Sequence, residues 1–133
     1  MPGQPAAKLG DTVTGVDTHI IMVPSPGGLV PTPIPGHIFN GIINGSLSSD
    51  VLIMGQPAAT IGSTAQNTPP HIPMGGGPFQ VPPMNRATIT QGSTSVMINN
   101  KPAARSGDPA LTCDDLVPMP HGTVVAVGTV LIG

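Results

Sequence analysis

The sequence has no tryptophan, no tyrosine and only two phenylalanines among its 133 residues. Any core must therefore be built from Val, Ile, Leu, Met and Ala. Charge is scarce as well: four Lys/Arg stand against six acidic residues, a formal −2 with no basic run. Nucleic-acid binding, which needs a dense cationic face, is not expected. Glutamate is absent altogether, so a zinc hydrolase would lack its usual general base. The single Cys113 forbids an internal disulfide. The longest mostly apolar run, Val124 to Gly133, is too short to cross a bilayer. The start, Met1-Pro2-Gly3-Gln4, shows neither the charged nor the apolar region of a signal peptide. The expectation is a protein made in the cytoplasm without such a signal.

What the chain has in quantity is glycine and proline, 18 of each. Punctuation at that density leaves no window long enough for several helical turns. Disorder does not fit either, because disordered chains are poor in apolar residues and rich in charge. Here apolar residues make up 38%, charged ones 8%, and the mean hydropathy is +0.22. An all-β protein of short strands and tight turns remains.

A repeat refines this. Three segments align without gaps: Pro5-Ala6-Ala7-Lys8-Leu9-Gly10-Asp11, Pro57-Ala58-Ala59-Thr60-Ile61-Gly62-Ser63 and Pro102-Ala103-Ala104-Arg105-Ser106-Gly107-Asp108. Lys8 goes with Asp11 and Arg105 with Asp108, whereas the neutral copy has Thr60 with Ser63, which points to a local ion pair or turn bracket. Strand-like alternation precedes two copies, with Val51 and Ile53 matching Val96 and Ile98. The missing third strand lies at the other end, around Val130 and Ile132. The C-terminal strand is thus expected to complete the unit that the N-terminus begins, closing three units around an axis. Closure removes the sheet edges that invite aggregation, and each unit alone would bury too little to be stable. The expected fold is a single domain over residues 1–133, a small pseudo-threefold β cone or prism.

Metal-ligating residues fall at related places in this repeat. His19 lies 14 residues after Pro5, His71 lies 14 after Pro57, and Cys113 lies 11 after Pro102. Threefold closure would bring these side chains together near the axis. Two histidines are candidates for a fourth donor. His37 ends the run Pro31-Thr32-Pro33-Ile34-Pro35-Gly36, read as a rigid polyproline-like arm. His121 follows Cys113 by eight residues through Pro118 and Pro120. Three His and one Cys form a reasonable tetrahedral zinc set. The carboxylates Asp17, Asp114 and Asp115 lie close to these residues in sequence and suit an orienting role.

Pro102-Ala103-Ala104-Arg105, its relatives at 5–8 and 57–60, and the strands before them resemble a PAAR-repeat protein. The resemblance covers essentially the whole chain, although only one copy reads Pro-Ala-Ala-Arg literally. It implies a short β cone with one structural Zn2+ near its apex, held by three His and one Cys: His19, His71 and Cys113 by motif position, with His37 as the fourth donor. It also implies a non-enzymatic tip for the spike of a contractile injection system, either type VI secretion or a phage-tail-like extracellular particle. The implied partner is a trimeric β-helical spike, one tip per trimer, with secreted effectors as further partners. Localisation would then be a particle delivered or released outside the cell, with membrane contact only during puncture. The segments 24–47 and 64–90 read as loops longer than those of minimal members.

Two rival readings stand beside this one. A metal-free structural or adhesive β-protein would account for the Gly75-Gly76-Gly77 run and the Pro82-Pro83 pair as loop and turn. A zinc hydrolase would need an open coordination position, which four protein ligands would close. The repeat leaves no room for a toxin domain within these 133 residues.

Overall fold

The computed structural model describes residues 3–133. Met1 and Pro2, part of the stretch read for a signal peptide, lie outside the described residues. Among the described residues every regular element is a strand, and no helix is long and apolar enough to cross a membrane.

In chain order the strands are β1 (Gln4–Pro5), β2 (Thr12–Ser25), β3 (Gly28–Gly45), β4 (Leu52–Ile53), β5 (Gln56–Pro57) and β6 (Thr64–Asn67). They continue as β7 (Arg86–Ile89), β8 (Met97–Ile98), β9 (Lys101–Pro102), β10 (Pro109–Thr112), β11 (Met119–Val125) and β12 (Leu131–Ile132). Six of them close into a barrel in the order β10-β11-β2-β3-β6-β7, all antiparallel neighbours. Each repeat thus supplies one adjacent pair of barrel strands. The remaining six form three two-stranded ribbons, β1-β12, β4-β5 and β8-β9.

The repeats hold one another by the same bonds three times over. Ala7 N donates to Ala104 O (2.9 Å), Ala104 N to Ala59 O (3.0 Å) and Ala59 N to Ala7 O (3.0 Å), a closed ring of main-chain bonds. All three alanines are fully buried. A small side chain suits a place where three backbones meet so closely, and every copy carries alanine there. One layer away, Ala6, Ala58 and Ala103 pack with Ile53, Ile98 and Ile132 into a second cluster. On the other side the ring joins the barrel core of Val13, Phe39, Ile43, Ile89 and Val124.

The turn bracket is present in every copy. The amides of Lys8, Thr60 and Arg105 donate to side-chain oxygens of Asp11 (3.1 Å), Ser63 (3.0 Å) and Asp108 (2.8 Å). Lys8 and Arg105 add ion pairs to the same aspartates, at 3.0 and 3.2 Å. Serine preserves the backbone cap and drops the charge pair.

Several expectations need correction. The alternating segments before the motifs are not full strands. They are two-residue arms of hairpins that turn through Met54-Gly55 and Asn99-Asn100, all four with positive φ, as tight hairpin turns require. Ile53, Ile98 and Ile132 are buried, but Val51 and Val96 are only partly so and Val130 is exposed. Nor is 24–47 a loop, since β2 and β3 make one long hairpin through most of it. Residues 68–85, between β6 and β7, are irregular apart from one bridge of Phe79 to Ile21.

The polyproline-like arm is also a strand, and the spacing of its prolines explains how. Ile20 and Met22 turn their own main-chain groups away from β3, Met22 N donating to Pro78 O and Ile20 O accepting from Gln80 N. Their partners across the hairpin, Pro33 and Pro31, therefore sit at positions where no ladder N–H is required. Beyond them the register slips between Asp17 and His19, where β3 has one extra residue. Gly36, at φ 94°, takes that bulge. Its effect is to switch the inward face of β3, so that His37, Phe39, Gly41 and Ile43 alternate into the barrel.

Candidate metal centre

Strand β2 carries Val13 into the core, and the same alternation then buries Asp17, His19 and Ile21. Asp17 and His19 are therefore inward neighbours on one strand, farther from the alanine ring than Val13. His37, inward on β3, pairs directly with Asp17. Cys113 follows the end of β10, and His71 comes from the irregular segment after β6.

Local hydrogen bonds fix the two irregular contributors. Asn85 Oδ1 accepts from the His71 amide (2.8 Å) and from Asn67 Nδ2 (3.2 Å), while buried Asn67 accepts from Asn40 N on β3 (2.8 Å). On the other side, Asp114 Oδ1 accepts from Thr18 N (2.7 Å) and Asp115 Oδ2 from Ile20 N (2.8 Å). These carboxylates cap β2 where its pairing with β11 has ended at Thr14. Cys113 is thereby set beside His19.

The result is a compact donor group. Asp17, His19, His71 and Cys113 each offer one atom, all within 4.8 Å of one another, and all four side chains are buried. His71 Nε2 is 2.9 Å from Asp17 Oδ2, the Cys113 thiol donates to the same oxygen at 3.4 Å, and Cys113 Sγ is 3.9 Å from His19 Nε2. Burial, with the Asp17 charge adding to it, pushes the thiol up to about 12. Burial opposes ionisation of Asp17, but the hydrogen bond from His71 leads interactions that outweigh it and hold the carboxyl below its ordinary range.

His37 stands against this group. Its ring centroid is 5.2 Å from that of His19 and 5.8 Å from that of His71. Both of its nitrogens face backbone: Nδ1 lies 3.1 Å from Ile34 O, and Nε2 accepts from Met74 N at 3.3 Å. Burial, and then the neighbouring His19 ring, holds its pKa below the usual imidazole range. Phe79 closes the cluster with its ring 5.4 Å from His19 and 5.8 Å from His37. The other candidate, His121, lies on β11 with Nδ1 3.0 Å from Asp114 Oδ2 and its side chain 47% exposed.

The donor set fits a metal ion. Two imidazoles, a thiol and a carboxylate converge in a buried space, and two polar atoms there have no partner, Asp17 Oδ1 and His19 Nδ1. Native proteins rarely leave such groups unpaired. His19 Nδ1 is 3.4 Å from Asp115 Oδ2 but misaligned for a hydrogen bond. That is the place where a carboxylate steadies a metal-bound imidazole. A cation replacing the Cys113 proton would remove the cost of keeping this thiol ionised. Asp17 was legible in the sequence as a neighbour of His19. Its entry into the donor group was not, because that depends on strand parity.

The family model for the PAAR motif matches residues 22–119, and the chain belongs to that family. The PAAR motif is associated with the spike-tip proteins of type VI secretion systems, which are structural rather than enzymatic. Proteins of this kind sit on the spike of the secretion machine, and the family points to delivery outside the cell. No curated protein matches the chain.

Proposed function

We propose that this protein caps and sharpens the trimeric β-helical spike of a contractile injection system, one copy per spike. The observation that carries the reading is the ring of Ala7, Ala59 and Ala104, whose repeated bonds give one chain three equivalent units. A chain built this way can present a similar face to each subunit of a true trimer. The face in question carries Leu52, Met97 and Leu131, at matching positions in the three ribbons and each more than half exposed. The opposite end, a squat apex, would point toward the target envelope and aid its puncture. Effector cargo would be carried on separate chains.

The same reading places one zinc ion at the buried cluster, held by His19, His71 and Cys113 with His37 as fourth donor, which requires its Nε2 to give up the Met74 amide. When bound, the ion supplies a rigid cross-link. It would tie β2, the segment bearing His71 and the turn bearing Cys113 to one point. Structural zinc in small domains is worth ~10–16 kcal/mol of apparent binding energy, ample to stiffen a puncturing tip.

Mixing the protein with its cognate spike and measuring the complex by native mass spectrometry tests the assignment. One copy per trimer is the expected result. Three copies per trimer, or no complex with any trimeric spike encoded nearby, would remove the tip assignment.

A further inference from the structure

The six acidic residues of this chain are all aspartates, and they divide into three kinds. Asp11 and Asp108 are paired with Lys8 and Arg105. Asp50 is exposed and bonded to Ser48 and Asn99. The remaining three, Asp17, Asp114 and Asp115, gather at the metal centre, with side chains 0%, 2% and 10% exposed. Among the described residues their ion-pair partners are histidines alone: His71, His121 and His19.

Asp17, Asp114 and His121 form a second group of potential ligand atoms, again all within 4.8 Å of one another. Asp17 belongs to both groups. Its Oδ2 is engaged by His71 and Cys113, while Oδ1 is buried and accepts nothing. His121, half exposed, gives this second group a face on solvent.

The geometry points to a second divalent-cation site at Asp17, Asp114 and His121, outside the buried zinc cluster and joined to it through the Asp17 carboxylate. Its donors are oxygen and imidazole nitrogen without sulfur, so it would take zinc, cobalt(II) or a similar borderline ion and exchange it with solvent. The inference rests on reading the inner cluster as a metal site, and the test separates the two.

Cobalt(II) serves as the probe on the full chain. Binding at the inner cluster is reported by the thiolate-to-cobalt absorption, and total binding by native mass spectrometry. The wild-type protein should bind two ions per chain. His121→Gln should bind one and keep the thiolate absorption unchanged. His121 is exposed enough for the substitution to leave the fold intact, and the retained absorption verifies it. A wild-type protein that shows the thiolate band yet saturates at one ion overturns the second site, and so does His121→Gln still binding two. Absence of the thiolate band from the wild-type protein would instead sink the inner-site reading.

Discussion

Gln4 pairs with Ile132 in the register that joins Gln56 to Ile53 and Lys101 to Ile98. Residues from opposite ends of the chain therefore build one of three equivalent ribbons, and Ala6 N donating to Val130 O extends the pairing. Ile132 is buried in the same small cluster as its two counterparts. Stability should consequently be global.

Deleting the last six residues should abolish the cooperative thermal transition of the whole protein, not merely fray one end. The deletion removes Ile132 from its cluster and exposes the Gln4–Pro5 edge. Circular dichroism melts of the two chains check this; a truncated protein with an unchanged melting temperature would contradict the circular closure.

The alanine ring should tolerate no growth. Ala104→Val forces two methyl groups into the place where three backbones exchange hydrogen bonds, and overpacking of that kind costs about 1–3 kcal/mol. The same substitution at Ala59 should cost a similar amount, because the positions are equivalent. Chemical denaturation of both variants measures it. A large effect at one site and none at the other would argue against equivalence.

The two charged brackets should differ in worth. Asp11→Ala strands Lys8, which is buried and otherwise donates to the carbonyl of Val127, and should cost about 1–3 kcal/mol. Asp108→Ala should cost less, since the Arg105 side chain is 26% exposed and can turn to water. Adding salt should narrow neither gap by much, because the larger share is the backbone cap and the desolvated amine. Equal losses for the two variants would refute this ranking.

Metal removal should act through specific donors. Chelation, or Cys113→Ser, should lower zinc content and melting temperature together. His37→Ala should empty the inner site, whereas Asp17→Asn should lower zinc affinity about 10–100-fold, the usual loss for a group that orients a ligand. If Asp17→Asn empties the site and His37→Ala leaves it filled, the carboxylate is the fourth donor. Metal content by atomic emission spectroscopy distinguishes the outcomes.

Spike binding should depend on the apolar ring. Leu52→Asp, Met97→Asp and Leu131→Asp place charge on side chains that are already exposed, so each variant should fold with its zinc. The triple variant should no longer co-migrate with the spike in size-exclusion chromatography. Retained binding would move the docking face elsewhere on the protein.

Much of this protein is local in origin. Glycine and proline at frequent intervals exclude helices wherever the chain ends up, and the three Pro-Ala-Ala segments mark the ring because a small side chain suits a three-way backbone contact. The pairing of Lys8 with Asp11 and Arg105 with Asp108 was legible for the same reason: it spans four residues. Other features depended on distant chain. The prolines at 31, 33 and 35 read as an arm, and they form a strand because Ile20 and Met22 turn their polar groups to the segment at 78–80. Which side chains meet at the centre was set by parity: the extra residue at Gly36 turns His37 inward, and the alternation of β2 puts Asp17 beside His19. A spacing counted along the chain places a ligand on its unit, but only the register between strands decides the face to which it points.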